Sequence, residues 1–334
     1  MSIVAKVYRG DLVDLTHIGH VAVTDYTGKI LYHFGNAERV TFARSSAKPL
    51  LVLPVLESGA ADEYGLTDEE LALLCASHSG ESFHVEAVRS ILQKAGLTEK
   101  YLQCGTHYPF AKYAAQELRS KGLKPEEVHC NCSGKHSGML ITAKYLGEDL
   151  DTYYKPEHPV QQRIMKTLAE VCEYDEDKII TAVDGCGVPV HAMPLYKFAQ
   201  GFAKLSKPEV FCVKRGQAAK RLVDAMIAYP EMVAGTDRFC TDLMKTCGDR
   251  LFAKSGAAGY YAIGLRDKGI GMTFKVEDGA TGIVYAMVLE ALRQLNIITP
   301  AELLKLEKYY VLQEKNYRGE MVGHTVIEFE LIKD

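Results

Sequence analysis

Ser45 and Lys48 stand three residues apart, immediately ahead of an apolar run over 50–56. In a helix begun at Ser45 or Ser46, positions i and i+3 share a face, so the lysine amine can reach the serine hydroxyl. Pro49 suits such a helix only within its first turn, where a missing N–H costs nothing. A hydroxyl becomes a useful nucleophile once a base takes its proton, and lysine can be that base when burial or a nearby cation lowers its pKa. The helix start favours negative charge developing beside it. The chemistry on offer is acyl transfer. A helix cap followed by a solvated lysine would look the same, so the pair needs partners.

Two further clusters supply them. Cys75-Ala-Ser-His-Ser-Gly-Glu81 packs polar residues into a loop after an apolar helix, where Ser77 either relays protons or merely helps cap the next helix. Lys254-Ser-Gly256 falls on a strand in the C-terminal third, and the small residues up to Gly259 let something pack against it. In chain order these read Ser-x-x-Lys, Ser-His-Ser, Lys-Ser-Gly. That order echoes the serine β-lactamases and penicillin-binding proteins.

A third cluster, His129-Cys-Asn-Cys-Ser-Gly-Lys-His136, is dense in metal-ligand types, and Cys186 sits in another glycine-flanked turn. By spacing, Cys132, His136 and Cys186 resemble a two-cysteine, one-histidine zinc site. Two buried thiols and a hydrogen-bonded histidine would give the same residues.

The elements that must position these groups are strands at both ends and helices between. Residues 3–8 alternate as a half-buried strand does, and 21–24 with 29–33 flank a glycine turn as a hairpin. Helices are predicted over 49–57, 84–95, 111–121, 138–146, 159–171, 193–205, 215–228 and 281–295. Thr67-Asp-Glu-Glu70 predicts a capping box before 71–75. Residues 179–183, 251–264, 270–276 and 325–331 read as strands. Glycines 256, 259 and 264 predict close backbone approach. The expected architecture is α+β: one domain over 1–334, its sheet from about 1–45 and 250–334, its helical block from about 46–249, and its site in the groove between.

Composition narrows the classes. A chain of 334 residues, 47% hydrophobic and 25% charged, is that of an ordinary globular protein. A net charge of −4 argues against nucleic acid or an anionic membrane as partner. No apolar run approaches the roughly 20 residues of a bilayer span, and residues 1–9 lack a signal-peptide pattern, which predicts a cytoplasmic protein. Nine cysteines, an odd number without scaffold spacing, read as thiols or ligands rather than disulfides.

The combination of Arg44-Ser-Ser-Ala-Lys48, Cys75-Ala-Ser-His-Ser-Gly-Glu81, Cys104-Gly105, Asn131-Cys-Ser-Gly-Lys-His-Ser-Gly138 and Asp184-Gly-Cys-Gly-Val-Pro189 resembles the signatures of the asparaginase II family, the Rhizobium-etli-type thermolabile L-asparaginases. The resemblance continues through Arg9-Gly10, His17-x-Gly19, Val233-Ala-Gly-Thr-Asp-Arg238, Lys254 and Asp278-Gly279, nearly the whole chain. Ser255 departs from it, since another small residue is expected there. The resemblance implies hydrolysis of L-asparagine to L-aspartate and ammonia on a serine β-lactamase-like fold, as a homodimer. It implies two tandems, Ser45 with Lys48 as nucleophile and base, and Ser77 with Lys254. It implies a zinc ion on Cys132, Lys135 and Cys186, which replaces His136 by Lys135 as ligand and leaves His136 as a polar neighbour. Asp184 and Arg44 would meet the substrate's amino and carboxylate groups.

Other readings of the same residues stay open. A glutaminase or β-lactam hydrolase would use the same serines and lysines. A zinc metallohydrolase would tolerate loss of Ser45, and an amino-acid sensor would bind asparagine without consuming it.

Overall fold

A computed structural model describes residues 2–334, and its strands arise at the two ends of the chain as the alternation predicts. The strands are β1 (Ile3–Arg9), β2 (Leu12–Asp25), β3 (Ile30–Phe34), β4 (Val40–Phe42), β5 (Ile180–Val183), β6 (Pro189–Pro194), β7 (Leu251–Gly256), β8 (Tyr260–Leu265), β9 (Ile270–Val276), β10 (Gln313–Lys315), β11 (Met321–Ile327) and β12 (Ile332–Lys333). The main sheet has nine strands in the order β10-β11-β1-β2-β9-β8-β7, with β3 joining β2 and β12 joining β3. Its pairings are antiparallel. Residues from both ends thus meet at its centre, where β2 lies beside β9. The α+β expectation holds.

The strand β8 is buried along its whole length, so it needs cover on both faces. The helices Leu195–Leu205 and Thr281–Gln294 both pack on it. Close approach is built in by glycine. A Cβ at Gly256 would lie 2.6 Å from the carbonyl of Ala43 and 2.8 Å from the hydroxyl of Ser46, so only glycine lets β7 come up against the turn that carries Ser45.

Between the two halves of the sheet runs a helical block, and its element boundaries depart from expectation in places. The capping box is present, with Thr67 accepting from the Glu70 N–H and Glu70 accepting from the Thr67 N–H. The run after Lys48 is two short helices, Lys48–Leu51 and Leu53–Ser58, each with proline near its start. The block also carries its own three-stranded sheet, β4-β6-β5. There Pro189–Pro194 is a strand, so the helix expected from 193 begins at Leu195 instead. The helix expected from 138 begins at Ser133, and the candidate ligands Lys135 and His136 lie in its first turns.

Among the described residues no helix is long and apolar enough to cross a membrane. All nine cysteines are free thiols, and only Cys212 is exposed.

Candidate active site

Ser45 sits in a short 3-10 turn, Arg44–Ala47, that leads directly into the helix Lys48–Leu51. Arg44 enters that turn with φ +52°, a left-handed backbone rarely held by a residue other than glycine. Strain of this kind persists only where the surroundings enforce it, and it gathers at functional sites. The strand β4 delivers the chain to this point and is held by β6, while Ser46 donates its hydroxyl to the carbonyl of Lys254 at 2.9 Å. The turn is thereby tied to the lysine strand β7.

The two lysines are almost wholly buried, Lys48 at 1% exposure and Lys254 at 0%. Buried amines need acceptors, and both find the same one. Lys48 Nζ lies 3.2 Å from Ser77 Oγ and Lys254 Nζ lies 3.0 Å from it. Lys48 also donates to the carbonyl of Ala76 and approaches Cys132 Sγ at 3.2 Å. Lys254 completes its set on the carbonyl of Ser255 at 2.8 Å. Burial pushes the Lys254 amine down to about 7, and the nearby positive charges of Lys48 and Arg238 push the same way against the opposing Cys240 thiol. A lysine with that pKa is partly neutral near pH 7 and can accept a proton.

The loop bearing Ser77 is fixed from several sides. Its N–H donates to Val233 O at 3.1 Å, and Ser79 donates its hydroxyl to Ala234 O at 2.9 Å. Glu81 accepts from the Thr236 N–H at 2.7 Å and from the hydroxyls of Thr236 and Tyr113, each at 2.8 Å. The segment 233–238 therefore clamps the serine loop.

Ser45 is half-buried. Together with Arg44, Lys48, Lys135, Asp184 and His191 it lines a cavity of about 10 Å³, roughly the space of one water. Its hydroxyl makes none of the site's hydrogen bonds, so the expected Ser45–Lys48 contact is replaced by Lys48–Ser77. The helix-start donors are partly committed as well, since the Ser46 N–H donates to Ala43 O at 3.1 Å. Arg44 closes the outer side, donating to Asp184 Oδ1 from Nε at 2.9 Å and from Nη2 at 2.7 Å. Larger clefts, of about 600 and 820 Å³, lie elsewhere and contain neither serine–lysine pair.

The thiols sit behind this wall. Lys135 Nζ is 3.2 Å from Cys186 Sγ. Hydrogen bonds from Cys130 and Cys186 hold the Cys132 thiol well below its ordinary range against the cost of burial, helped by the positive charges of Lys48 and Lys135. Its partner Cys186 is pushed up, first by that thiolate and then by burial. Burial alone would lower Lys135, but its interactions with the sulfurs of Cys186 and Cys132 outweigh it and raise it. Among the described residues no three His, Cys, Asp or Glu side chains are grouped to hold a metal ion, so a metal here needs lysine as third donor. Ligands about 2.3 Å (sulfur) and 2.1 Å (nitrogen) from a tetrahedral zinc stand roughly 3.6 Å apart. The observed Lys135–Cys186 separation of 3.2 Å is somewhat shorter, and two thiols with an amine are donor types that suit a soft divalent ion once they lose their protons.

His136 faces elsewhere. Its Nδ1 is 2.7 Å from the Tyr153 hydroxyl, its Nε2 is sealed without a partner, and burial pushes its pKa down to about 3. The residue missed in the sequence is His191, on β6. Its strand is buried along its whole length, so alternation does not single it out.

Comparisons with known proteins follow the same lines. A family model for L-asparaginase II matches residues 5–327. No curated protein matches the sequence. Among solved structures the chain is similar to a β-lactamase from Mycobacterium bovis, with 12% identity, 87% of this chain and 95% of that chain covered, and a TM-score of 0.42. It is also similar to a provisionally named β-lactamase from Bacteroides dorei, with 12% identity, coverage of 78% and 85%, and a TM-score of 0.38. Similarities this low speak to neither activity nor residue roles. The family match spans nearly the whole chain, and the protein belongs to the L-asparaginase II family, hydrolases of the asparagine side-chain amide.

Proposed function

We propose that this chain is an L-asparagine amidohydrolase working through a serine acyl-enzyme, and one observation carries the mechanism: two buried lysine amines share the hydroxyl of Ser77, 3.2 and 3.0 Å away. The reading makes Ser45 the nucleophile, because it lines the cavity, and Lys48 its base. Lys48 hands the proton through Ser77 to Lys254, whose pKa near 7 suits a reservoir. The Ser45 oxygen bonds to the side-chain carbonyl carbon of asparagine. The C–N bond then breaks as the relay returns its proton to nitrogen, releasing ammonia. Water attacks the ester, gives its proton to the same relay, and frees L-aspartate and the serine hydroxyl.

The cavity is too small for an amino acid while Arg44 and Asp184 are paired. Binding would exchange that pair for two intermolecular ones, with the substrate carboxylate on Arg44 and the ammonium on Asp184. His136, bonded to Tyr153 and outside the cavity lining, has no direct part in this reading.

Cys132, Lys135 and Cys186 would hold zinc. When bound, it supplies Lewis-acid polarisation and a fixed point for a substrate oxygen. The protein is further read as a cytoplasmic homodimer.

The test compares ammonia release from L-asparagine and from L-glutamine with ring cleavage of a chromogenic β-lactam. Turnover of asparagine at least about tenfold above the other two supports the assignment. A preference for either of the others moves the protein to a different amidase class. Binding without turnover makes it a sensor.

A further inference from the structure

His191 lies on the wall of the Ser45 cavity, held on β6 between Val190 and Ala192. It is 3% exposed, and its Nδ1 is sealed from solvent with no hydrogen-bond partner. Sealed polar atoms without partners are uncommon in native interiors, and the residue that carries this one lines the space where substrate must sit. Its backbone is engaged, since the carbonyl accepts from the Ala43 N–H at 3.3 Å and so holds the ring beside the Ser45 turn. A sealed N–H without an acceptor is rarer than a sealed acceptor without a donor. The ring proton therefore belongs on Nε2, and Nδ1 offers a lone pair.

We propose that His191 recognises the carboxamide of the substrate, its Nδ1 accepting a hydrogen bond from the amide N–H. This rests on the amidohydrolase reading and adds a reason for its selectivity. An amide nitrogen brings donors to a lone pair, whereas the carboxylate of L-aspartate brings only acceptors. The ring would therefore hold substrate and reject product, which also favours release after hydrolysis. Arg44, Lys48 and Lys135 are donors that favour a carboxylate, and Asp184, the other acceptor on the wall, is paired with Arg44 and assigned to the substrate ammonium.

Two measurements decide it. The first is the ratio of the inhibition constant for L-aspartate to the KM for L-asparagine, in wild type, His191→Phe and His191→Asn. Losing one buried hydrogen bond lowers that ratio by about tenfold in the Phe variant, and the Asn variant, with an amide oxygen as acceptor, recovers part of it. A ratio within about twofold of wild type in a folded Phe variant overturns the proposal. The second needs no folded variant at 191: the nitrogen-15 spectrum of histidine-labelled Ser45→Ala protein, titrated with L-asparagine and then L-aspartate. A shift of one unprotonated ring nitrogen with asparagine, and none with aspartate, is the expected result. No shift with asparagine removes His191 from the site. If that shift appears while wild type releases no ammonia, the contact stands and the amidohydrolase reading fails.

Discussion

The cavity has two sides that differ in how their polar groups are satisfied. On the inner side, Ser77, Lys48 and Lys254 form a closed set: each amine has a serine oxygen and a backbone carbonyl, and the loop itself is clamped through Glu81. On the outer side, the Ser45 hydroxyl is uncommitted, Nδ1 of His191 is unpartnered, and Arg44 is paired with Asp184, whose carboxylate has one other partner, the neighbouring Gly185 N–H at 2.9 Å. The inner side is assembled before substrate arrives. The outer side is completed by substrate. Preorganised charge handling behind a wall of open contacts is what acyl transfer asks of a site.

The largest effect separates the two sides through their serines. Ser45→Ala removes the nucleophile and lowers kcat by about 10⁴-fold or more, while Ser77→Ala removes a relay and lowers it by about 10²- to 10⁴-fold. Steady-state ammonia release measures both. A Ser77→Ala loss that exceeds the Ser45→Ala loss would exchange the roles of the two residues.

Next in size is the pH response of the inner side. Below about 7 Lys254 is protonated and cannot accept, so kcat/KM rises with pH through that region. Lys254→Arg carries charge at every accessible pH and should lose at least about a hundredfold together with this limb. A wild-type profile flat from pH 6 to pH 8 would remove Lys254 as the proton reservoir.

For the thiols beside the inner side, Cys186→Ser should lower bound zinc from about one equivalent per chain to near zero, read by elemental analysis of protein purified without chelator. Equal zinc in wild type and variant would place any metal elsewhere.

The smallest effect concerns the clamp. Glu81 is buried and accepts three hydrogen bonds, so Glu81→Ala leaves donors unsatisfied and costs about 1–3 kcal/mol. Thermal unfolding should show a lower Tm. An unchanged Tm would mean the serine loop is held by the Ser77 N–H and the Ser79 hydroxyl on the carbonyls of Val233 and Ala234 alone.

How much of this the sequence disclosed depended on whether the signal was local. The Thr67–Glu70 capping box and the two-ended sheet were legible because cap chemistry and strand alternation are properties of neighbouring residues. The partner of Lys48 was not legible. Helical spacing pointed its amine at Ser45, but a buried amine goes where the most acceptors are, and the carbonyl of Ala76 with the hydroxyl of Ser77 lies in another segment. The helix Ser133–Leu146 was started late because the residues of its first turns, rich in cysteine, lysine and histidine types, break the apolar periodicity that marks a helix. His191 was passed over for a related reason. The strand Pro189–Pro194 is buried on both faces, so it shows no alternation to set one histidine apart.

The most direct test of the account is to quench wild-type enzyme during turnover of L-asparagine and locate the trapped aspartyl ester by peptide mass spectrometry. The account predicts the added mass on the peptide containing Ser45. The same mass on the peptide containing Ser77, or no covalent adduct at any time point, would contradict it.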